Sequence, residues 1–477
     1  MIVLGIGFYF SRKKSNSESF YLGNRTLGAW VTAFSASASG ESGWVFLGAV
    51  GMAYNEGFVA IWFAIGITLG CLLNWIFIAP KIQKESKELG SITMTDIFVD
   101  RTREWGDVIR YVATIIIFFS MISYVAAQLT AAGKAFNAGF GWSYPFSVLV
   151  AGSVVIFYTL LGGFQAVSWT DLVQGLLMVF SLILIPLVAL FQFLKNGYGW
   201  SDLMGVSSGY TSFFGNRSGF FAFGGVLGLL GIGIGFPGQP HILTRFMACR
   251  SPRDLLQGKI IALVFYLLTF SGVVLLGVTC RLLLNVSDPE TVFSKAATTF
   301  LPLSLAGLML SAVMSAIMST ADSQLLVATS SICHDIFEHF GHLRQISMRR
   351  LNRIAVLFLG IAAIIFALSK VRVIFWFVLF AWSGMGTSFG PAMIYVLYAK
   401  KPRGLPVVLG MVSGFLMTVS WKVTGLSGYL YEMIPGFLFS SLVVFLTDQV
   451  VCKEQSTCQQ SLARLSSDSQ AVCPEDE

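Results

Sequence analysis

Long apolar runs most constrain what this chain can fold into. Segments 58–79 and 172–194 contain no charged residue, and each is long enough to cross a hydrocarbon core of ~30 Å as a helix. Backbone groups in lipid must bond within the chain, and these runs lack the alternation of a membrane β-barrel. Only 12% of the residues are charged, against about 25% in soluble domains. The sequence therefore predicts an all-α polytopic membrane protein.

Thirteen apolar segments can be distinguished, and we predict about thirteen transmembrane segments, the first of them incomplete. The segments are 1–10, 27–54, 57–80, 109–136, 143–164, 171–195, 219–240, 258–285, 299–330, 352–369, 373–398, 404–423 and 430–447. At about 1.5 Å per residue the first cannot span alone, which indicates either a start upstream or a truncated chain. A signal peptide is disfavoured because Arg12, Lys13 and Lys14 follow the apolar stretch.

The basic residues predict the orientation in the membrane. If 12–25 lies in the cytoplasm and the segments alternate, most of the 31 Lys and Arg residues fall on the cytoplasmic side. We therefore expect a multi-pass protein of the cell membrane with a cytoplasmic C-terminus, surrounded by membrane lipid. The net charge of +7 is explained by these loops. No nucleic-acid-binding motif accompanies it, so no nucleic-acid partner is expected.

Two segments carry helix-weakening residues near their centres. One contains SASASGESGW at 35–44, including Glu41, and the other reads GFFAFGGVLGLLGIGIGFPGQP at 219–240. Gly and Ser disfavour helix interiors, and a carboxylate within a membrane helix is normally functional. An unwound stretch exposes carbonyl groups and helix ends that can bind ions or charged groups. For the glycines of 224–238, close helix packing remains the alternative.

The spacing of these two breaks predicts the organisation of the chain. They fall in the second and seventh segments, five spans apart, which is typical of two inverted five-helix repeats. A short amphipathic helix is expected in the loop 81–108. The predicted units are a partial first helix and cytoplasmic loop (1–26), a ten-helix transport core (27–398), two additional transmembrane helices (399–447) and a disordered cytoplasmic tail (448–477).

A stripe of small and hydroxyl residues marks a third element. Along SAVMSAIMSTADSQ, one helical face would carry Ala312, Ser315, Ala316, Ser319, Thr320 and Ser323. Hydroxyl oxygens with a few free carbonyls suit a small hard cation such as sodium. The alternative is a tight helix contact with hydroxyls bonded to the preceding turn. Beside a broken helix, we favour the cation site.

Other classes of function find little support. Gly231, Gly233 and Gly235 lack the strand and acidic residue of a dinucleotide site. No nucleophile motif is present, so we do not expect an enzyme. The four histidines (His241, His334, His339 and His342) and seven cysteines show no metal-ligand spacing. An ion channel is disfavoured because no filter repeat is visible. A membrane sensor of solute remains an alternative, although the tail contains no signalling domain.

The chain resembles the sodium/solute symporter family, and most closely its bacterial sodium/proline symporters, over about 21–446. The resemblance rests on YLGNRTLG (21–28), SASASGESGW (35–44), YTLLGGFQAVSWTDLVQ (158–174), GQPHILTRFMA (238–248), SAVMSAIMSTADSQLLV (311–327) and YEMIPGFLF (431–439). It implies a LeuT-like fold of inverted repeats with alternating access. It also implies sodium-coupled import of a small organic solute, proline or another small neutral amino acid, without an obligatory protein partner. A sodium symporter for a different solute class is the alternative.

The resemblance further implies site residues. Sodium would be held by the carbonyls of Ala38 and Glu41 and by oxygens of Ala316, Ser319 and Thr320. The solute pocket would be formed by Trp44, Tyr124, Ile232, Phe236 and Pro240. Asp171 matches an acid tied to sodium release, and Arg25 matches a functional arginine.

The chain departs from the family pattern at four of the matched positions. The proline carriers have Trp and Tyr where this chain has Ile232 and Phe236, and Asp and Met where it has Gly40 and Glu41. The acid thus moves one place along the broken helix, and the pocket loses an indole N–H and a phenol O–H. These changes favour a small, largely apolar solute and disfavour sugars.

Overall fold

The computed structural model describes residues 5–6, 17–161, 163–339, 348–369 and 374–470. Within these ranges every regular element is a helix, and a single isolated bridge pairs Leu27 with Cys249. In chain order the helices are α1 (Ser17–Leu22), α2 (Ala29–Gly40), α3 (Val50–Glu56), α4 (Ile61–Leu73), α5 (Ala79–Leu89), α6 (Met94–Thr102), α7 (Gly106–Phe140), α8 (Tyr144–Leu161), α9 (Phe164–Lys195), α10 (Trp200–Val206), α11 (Gly219–Leu230), α12 (Pro240–Met247), α13 (Pro252–Leu283), α14 (Val292–Phe300), α15 (Leu303–Ser330), α16 (Met348–Leu368), α17 (Ile374–Tyr398), α18 (Gly404–Val423) and α19 (Met433–Gln470).

The described helices confirm an all-α polytopic membrane protein. Ten helical stretches in this part of the chain are long and apolar enough to cross a membrane. The count of thirteen segments stays a prediction. Tyr144–Leu160 is shorter than the ten, α2 has only 12 residues, and most of the predicted segment 1–10 lies outside the described residues, as do Arg12, Lys13 and Lys14.

Both predicted helix breaks are confirmed. At the first break, α2 ends at Gly40 and Glu41 is extended, with φ −97° and ψ 107°. A wide helical turn, Val45–Ala49, then leads into α3. At the second break, α11 ends at Leu230 and gives way to a tighter helical stretch, Gly231–Gly238, before α12 begins. The Ser- and Gly-rich sequences explain both, because neither residue type supports a helix interior.

The glycines of the second break also pack closely. A Cβ atom at Gly233 would collide with the carbonyl oxygen of Gly66, and one at Gly70 would collide with Gly233. The stretch Gly231–Gly238 therefore approaches α4 at backbone distance, a role that side chains would prevent. Helix weakening and close packing, the two interpretations of these glycines, thus describe the same stretch.

The first break lies at the centre of the helix bundle. Helix α2 packs against α9, α12, α13 and α15, whereas the second break packs against α4 and α17. Nearly every residue of α2 from Val31 to Ser39 is buried. Charged groups or ligands at these breaks are therefore enclosed by protein, which is the setting in which membrane proteins tolerate irregular backbone.

Two sequence expectations concern the loop 81–108 and the tail 448–477. The loop 81–108 contains helical structure, as α5 and α6. The predicted disordered tail, 448–477, differs: α19 continues as a helix to Gln470, and 471–477 lie outside the described residues. From 448 to 470 the chain has neither Gly nor Pro, and its Gln, Leu, Ala, Lys and Arg residues are good helix formers.

Candidate functional site

Five oxygens gather where the first break meets α15. The Ser319 hydroxyl donates to the Ala38 carbonyl over 3.0 Å and lies 3.2 Å from the Ala316 carbonyl. The Thr320 hydroxyl lies 3.3 Å from the Ala38 carbonyl and 3.5 Å from that of Glu41. All five residues, which we call the oxygen cage, are buried. The structure thus brings together every residue predicted to hold sodium.

The local sequence explains why this cage forms. The last carbonyls of a helix have no partner within it, so the early end of α2 at Gly40 leaves the oxygens of Ala38 and Glu41 available. The small residues of α15 let the two helices approach closely. Carbonyl and hydroxyl oxygens are the hard donors that sodium requires. The donor set fits this ion.

The side chain and the backbone carbonyl of Glu41 contact different helices. Its Oε1 accepts a hydrogen bond of 2.9 Å from the Thr269 hydroxyl on α13. Its Oε2 is buried and has no hydrogen-bond partner among the described residues. One residue therefore contributes its backbone to the oxygen cage and its carboxylate to the opposite side of the break.

A small aromatic cavity lies on that opposite side. We call it the solute cavity; it is lined by Gly40, Glu41, Trp44, Val45, Ile67, Tyr124, Ile232, Phe236, Tyr266, Phe270, Val378, Leu379 and Trp382. Four of the predicted solute residues are among them. The fifth, Pro240, is not: it follows the extended Gln239, starts α12 and lines a different cavity.

A buried polar network continues from the cage toward α9 and α12. Asp171 accepts hydrogen bonds from Ser35 over 2.6 Å and Ser39 over 3.3 Å. Its carboxylate also pairs with Arg245 at 3.3 Å. Arg245 donates in addition to Ser323, whose hydroxyl lies 3.0 Å from that of Ser39. Asp171, which the resemblance links to ion release, therefore contacts α2 directly and is linked to α15 through Arg245 and Ser323.

Comparison with known proteins identifies the family. A sequence profile of the sodium:solute symporter family matches residues 20–414. The chain belongs to this family. It is 35% identical over 452 residues to the high-affinity proline transporter PutP of Bacillus subtilis (strain 168), covering 93% of this chain and 94% of the relative. It is 32% identical over 474 residues to the sodium/proline symporter of Staphylococcus aureus (strain JH9), covering 95% and 91%.

Solved structures agree on the fold. An outward-open, substrate-bound Na+-coupled sialic acid symporter superposes with a TM-score of 0.76 at 19% identity, over 94% of this chain and 95% of its own. The nucleobase-cation-symport-1 family transporter Mhp1, in a closed conformation, gives a TM-score of 0.56 at 14% identity, over 91% and 95%. The symporter thus has the LeuT-like fold. Its membership of the sodium:solute symporter family makes it a transporter and not an enzyme, with sodium as its coupling ion.

Two further cavities lie on either side of the symporter's breaks. A wider one, of about 430 Å³, is lined by Ile232, Glu56, Arg217, Glu290 and Lys422 among others. Because Ile232 also lines the solute cavity, the two are neighbours. The other, of about 30 Å³, runs from Arg245 and Ser323 past Pro240 to Tyr21 and Asp335. The breaks therefore have a cavity on each side.

The structure places Arg25 away from the cage. Its guanidinium pairs with Glu18 at 3.0 Å and donates to Ser86, to the Ser91 carbonyl at 2.8 Å and to the Met247 carbonyl at 3.2 Å. These contacts join α1 and α5 to the end of α12. Arg25 is thus a residue that holds a helix junction together in this conformation.

Several residues around the two sites were missed by sequence reasoning. Trp382 on α17 donates through Nε1 to the Ile232 carbonyl over 3.0 Å, and Gln239 donates to the Trp382 carbonyl over 3.0 Å. Aromatic residues are common in apolar helices, so Trp382 carries no recognisable signal. Arg245 does, because it is the one Lys, Arg, Asp or Glu residue in the matched motif 238–248.

Two of the histidines lie in buried or half-buried surroundings. His241 is fully buried, with its ring centroid 6.3 Å from that of Tyr124. His334 lies 3.1 Å from Asp96, and together with Asp335 these residues could each offer one ligand atom to a metal ion. Their spacing in sequence hides this group because α6 and the wide helical stretch Ser331–Glu338, which follows α15, are far apart along the chain. Arg110 pairs with Asp96 at 2.8 Å and Asp335 at 3.5 Å, and it already supplies a cation there. His342 lies outside the described residues.

Proposed function

We propose that this symporter imports a small neutral amino acid, with proline first, together with sodium across the cell membrane. The observation that carries the proposal is the position of Glu41. Its carbonyl belongs to the oxygen cage and its side chain lines the solute cavity. Ion and solute would therefore act on the same turn of backbone, as coupled transport requires.

The ion would act by holding α2 against α15. The hydroxyls of Ser319 and Thr320 now bond to the carbonyls that the ion would share. A cation bound to all five oxygens replaces those weak bonds with stronger ones and fixes the shape of the first break. Since a ligand shifts a conformational equilibrium only by its differential affinity, sodium would favour the conformation in which the solute cavity is also complete.

The cavity supports a compact, mainly apolar solute. Its walls are the aromatic rings of Trp44, Tyr124, Phe236 and Trp382, with few polar atoms. A sugar would need several hydroxyl partners that these residues do not supply. The names of the two relatives, a proline transporter and a sodium/proline symporter, support proline as the first candidate.

We infer the direction of transport from the two outer cavities. With the C-terminus in the cytoplasm, the wider cavity beside Ile232 would be the extracellular entry. The narrower one beyond Arg245 and Ser323 would be the route to the cytoplasm. Asp171, hydrogen-bonded to Ser39, would receive the ion as it leaves the cage. A single charge moving with 100 mV releases about 2.3 kcal/mol, enough for a solute gradient of tens-fold at ~1.4 kcal/mol per decade.

Uptake into proteoliposomes tests this proposal. The purified protein, with an inward sodium gradient and an interior-negative potential, is expected to accumulate labelled proline. A choline gradient of equal size is the control and is expected to give no accumulation. Unlabelled neutral amino acids should compete, whereas a hexose should not. Sodium-dependent proline binding without any accumulation would instead support the alternative of a membrane sensor.

A further inference from the structure

The Glu41 carboxyl group on the wall of the solute cavity has one unsatisfied oxygen. One oxygen is held by Thr269 at 2.9 Å, and the other has no hydrogen-bond partner in the described part of the chain. The residue is 1% exposed. A buried polar oxygen without a partner is costly. Its position on the cavity wall indicates that a ligand supplies the missing donor.

The rest of the cavity identifies the chemistry of that donor. None of the described residues that line the cavity is basic, and Glu41 is the acidic one among them. The surrounding walls include the aromatic side chains of Trp44 and Tyr266, and an aromatic ring can attract a cation through its quadrupole. A charge-assisted N–H···O bond to a carboxylate is among the stronger hydrogen bonds in proteins. A cationic nitrogen with at least one N–H therefore fits this wall.

We propose that the Glu41 side chain binds the ammonium nitrogen of the transported amino acid. This inference rests on the proposed function and adds the group that selects the solute. Solutes of the same size that lack a nitrogen-bound hydrogen would be rejected.

The proposal also supplies a physical link between the two ligands. The Glu41 carbonyl lies 3.5 Å from the Thr320 hydroxyl in the oxygen cage. A solute that pulls on the Glu41 side chain therefore acts on the same residue that sodium would hold through the backbone. Each ligand would order the residue for the other, which gives positive coupling.

A pair of isosteric competitors tests the assignment. Proline is compared with tetrahydrofuran-2-carboxylate, in which an ether oxygen replaces the ring nitrogen and no N–H remains. In the wild type, the oxygen analogue is expected to compete at least about a hundredfold more weakly than proline, because the site is left with an unpaired acceptor. In Glu41→Gln, the ratio of the affinity for proline to the affinity for the oxygen analogue is expected to fall at least about tenfold. The main reason is that proline binds less tightly.

Two further variants make the result decisive. Glu41→Asp keeps the carboxylate and should keep the preference for proline, so it tests the charge when Glu41→Gln transports too slowly to measure. Thr269→Val removes the hydroxyl that orients Oε1 and should weaken proline binding with the preference retained. Equilibrium binding in detergent at saturating sodium gives the ratios without any need for transport.

The outcomes separate this inference from the proposed function. An unchanged ratio in Glu41→Gln, with sodium-dependent amino-acid uptake intact, overturns the role of Glu41 alone. Absence of any sodium-dependent amino-acid uptake by the wild type overturns the proposed function. Loss of preference in Glu41→Asp together with its retention in Glu41→Gln would also contradict the inference.

Discussion

The oxygen cage and the solute cavity adjoin at Glu41 but are built from different materials. The cage consists of backbone carbonyls and short hydroxyl side chains from α2, the first break and α15. The cavity consists of large aromatic and aliphatic side chains from α4, α7, α13, α17 and both breaks. A helix break leaves carbonyl oxygens free to bind an ion, whereas a solute must be bound by a surface that matches its shape. Substitutions in the cage should therefore change mainly the sodium dependence of uptake, whereas substitutions in the cavity should change mainly its dependence on the solute.

Removal of the Thr320 hydroxyl should have the largest effect. Thr320→Val keeps the shape of the side chain and deletes one of the two hydroxyl oxygens of the cage. The sodium concentration for half-maximal uptake is expected to rise about tenfold or more, at ~1.4 kcal/mol per decade. The measurement is uptake as a function of sodium at fixed proline. Thr298→Val, an exposed hydroxyl on α14, is the matched control. An unchanged sodium dependence would remove Thr320 from the cage.

The sequence predicts the parts of these sites that depend on local sequence patterns better than the parts that depend on packing between distant helices. The cage could be anticipated because both its parts are local patterns: Ser and Gly at the first break, and hydroxyl residues at helical spacing around Ser319. The cavity could be anticipated only in part. Trp44 and Phe236 lie beside the breaks, but Trp382 and Tyr266 reach the cavity through helix packing. The extended Gln239 redirects the chain so that Pro240 lines another cavity, and no local pattern predicts that.

Loss of the Asp171 charge should have the second largest effect on transport. Asp171→Asn leaves the buried Arg245 without its carboxylate partner, and breaking one side of a buried ion pair costs about 3–5 kcal/mol. We expect a lower melting temperature and a slower maximal rate of uptake, because the ion loses its next acceptor after the cage. Sodium half-saturation should change less than in Thr320→Val.

The double substitution Asp171→Asn with Arg245→Met distinguishes these two effects. It removes both charges, so stability is expected to return toward that of the wild type. The rate of uptake should stay low if Asp171 receives the ion. Recovery of the rate together with stability would mean that Asp171 serves only to neutralise Arg245.

A smaller effect is expected from a change confined to the cavity. Trp382→Phe keeps the aromatic wall and removes the Nε1–H that donates to the Ile232 carbonyl. One such hydrogen bond is worth about 1 kcal/mol, so the half-saturation for proline should rise about fivefold. At saturating proline, the sodium half-saturation should stay within about twofold of the wild type. An equal change in both constants would show that cage and cavity are not separable.

The smallest effect on transport should come from Asp96, which belongs to neither site. Burial alone would raise the pKa of Asp96, but the hydrogen bond and charge of His334 and the charge of Arg110 outweigh it and hold that pKa below its usual range. A lowered pKa in the folded state adds stability that is present above the ordinary pKa of about 3.9 and is lost as pH falls below it. Asp96→Asn should therefore lower the melting temperature at pH 7, through loss of a charged hydrogen bond worth about 1.5–3 kcal/mol, and this difference should shrink once the pH falls below about 3.9. Half-saturation for sodium and for proline should stay within about twofold, because Asp96 lines neither the cage nor the solute cavity. Melting curves of wild type and variant at pH 7 and below about pH 3.9 provide the measurement. A variant that melts at the wild-type temperature at pH 7 would show that the ion pairs of Asp96 add no stability.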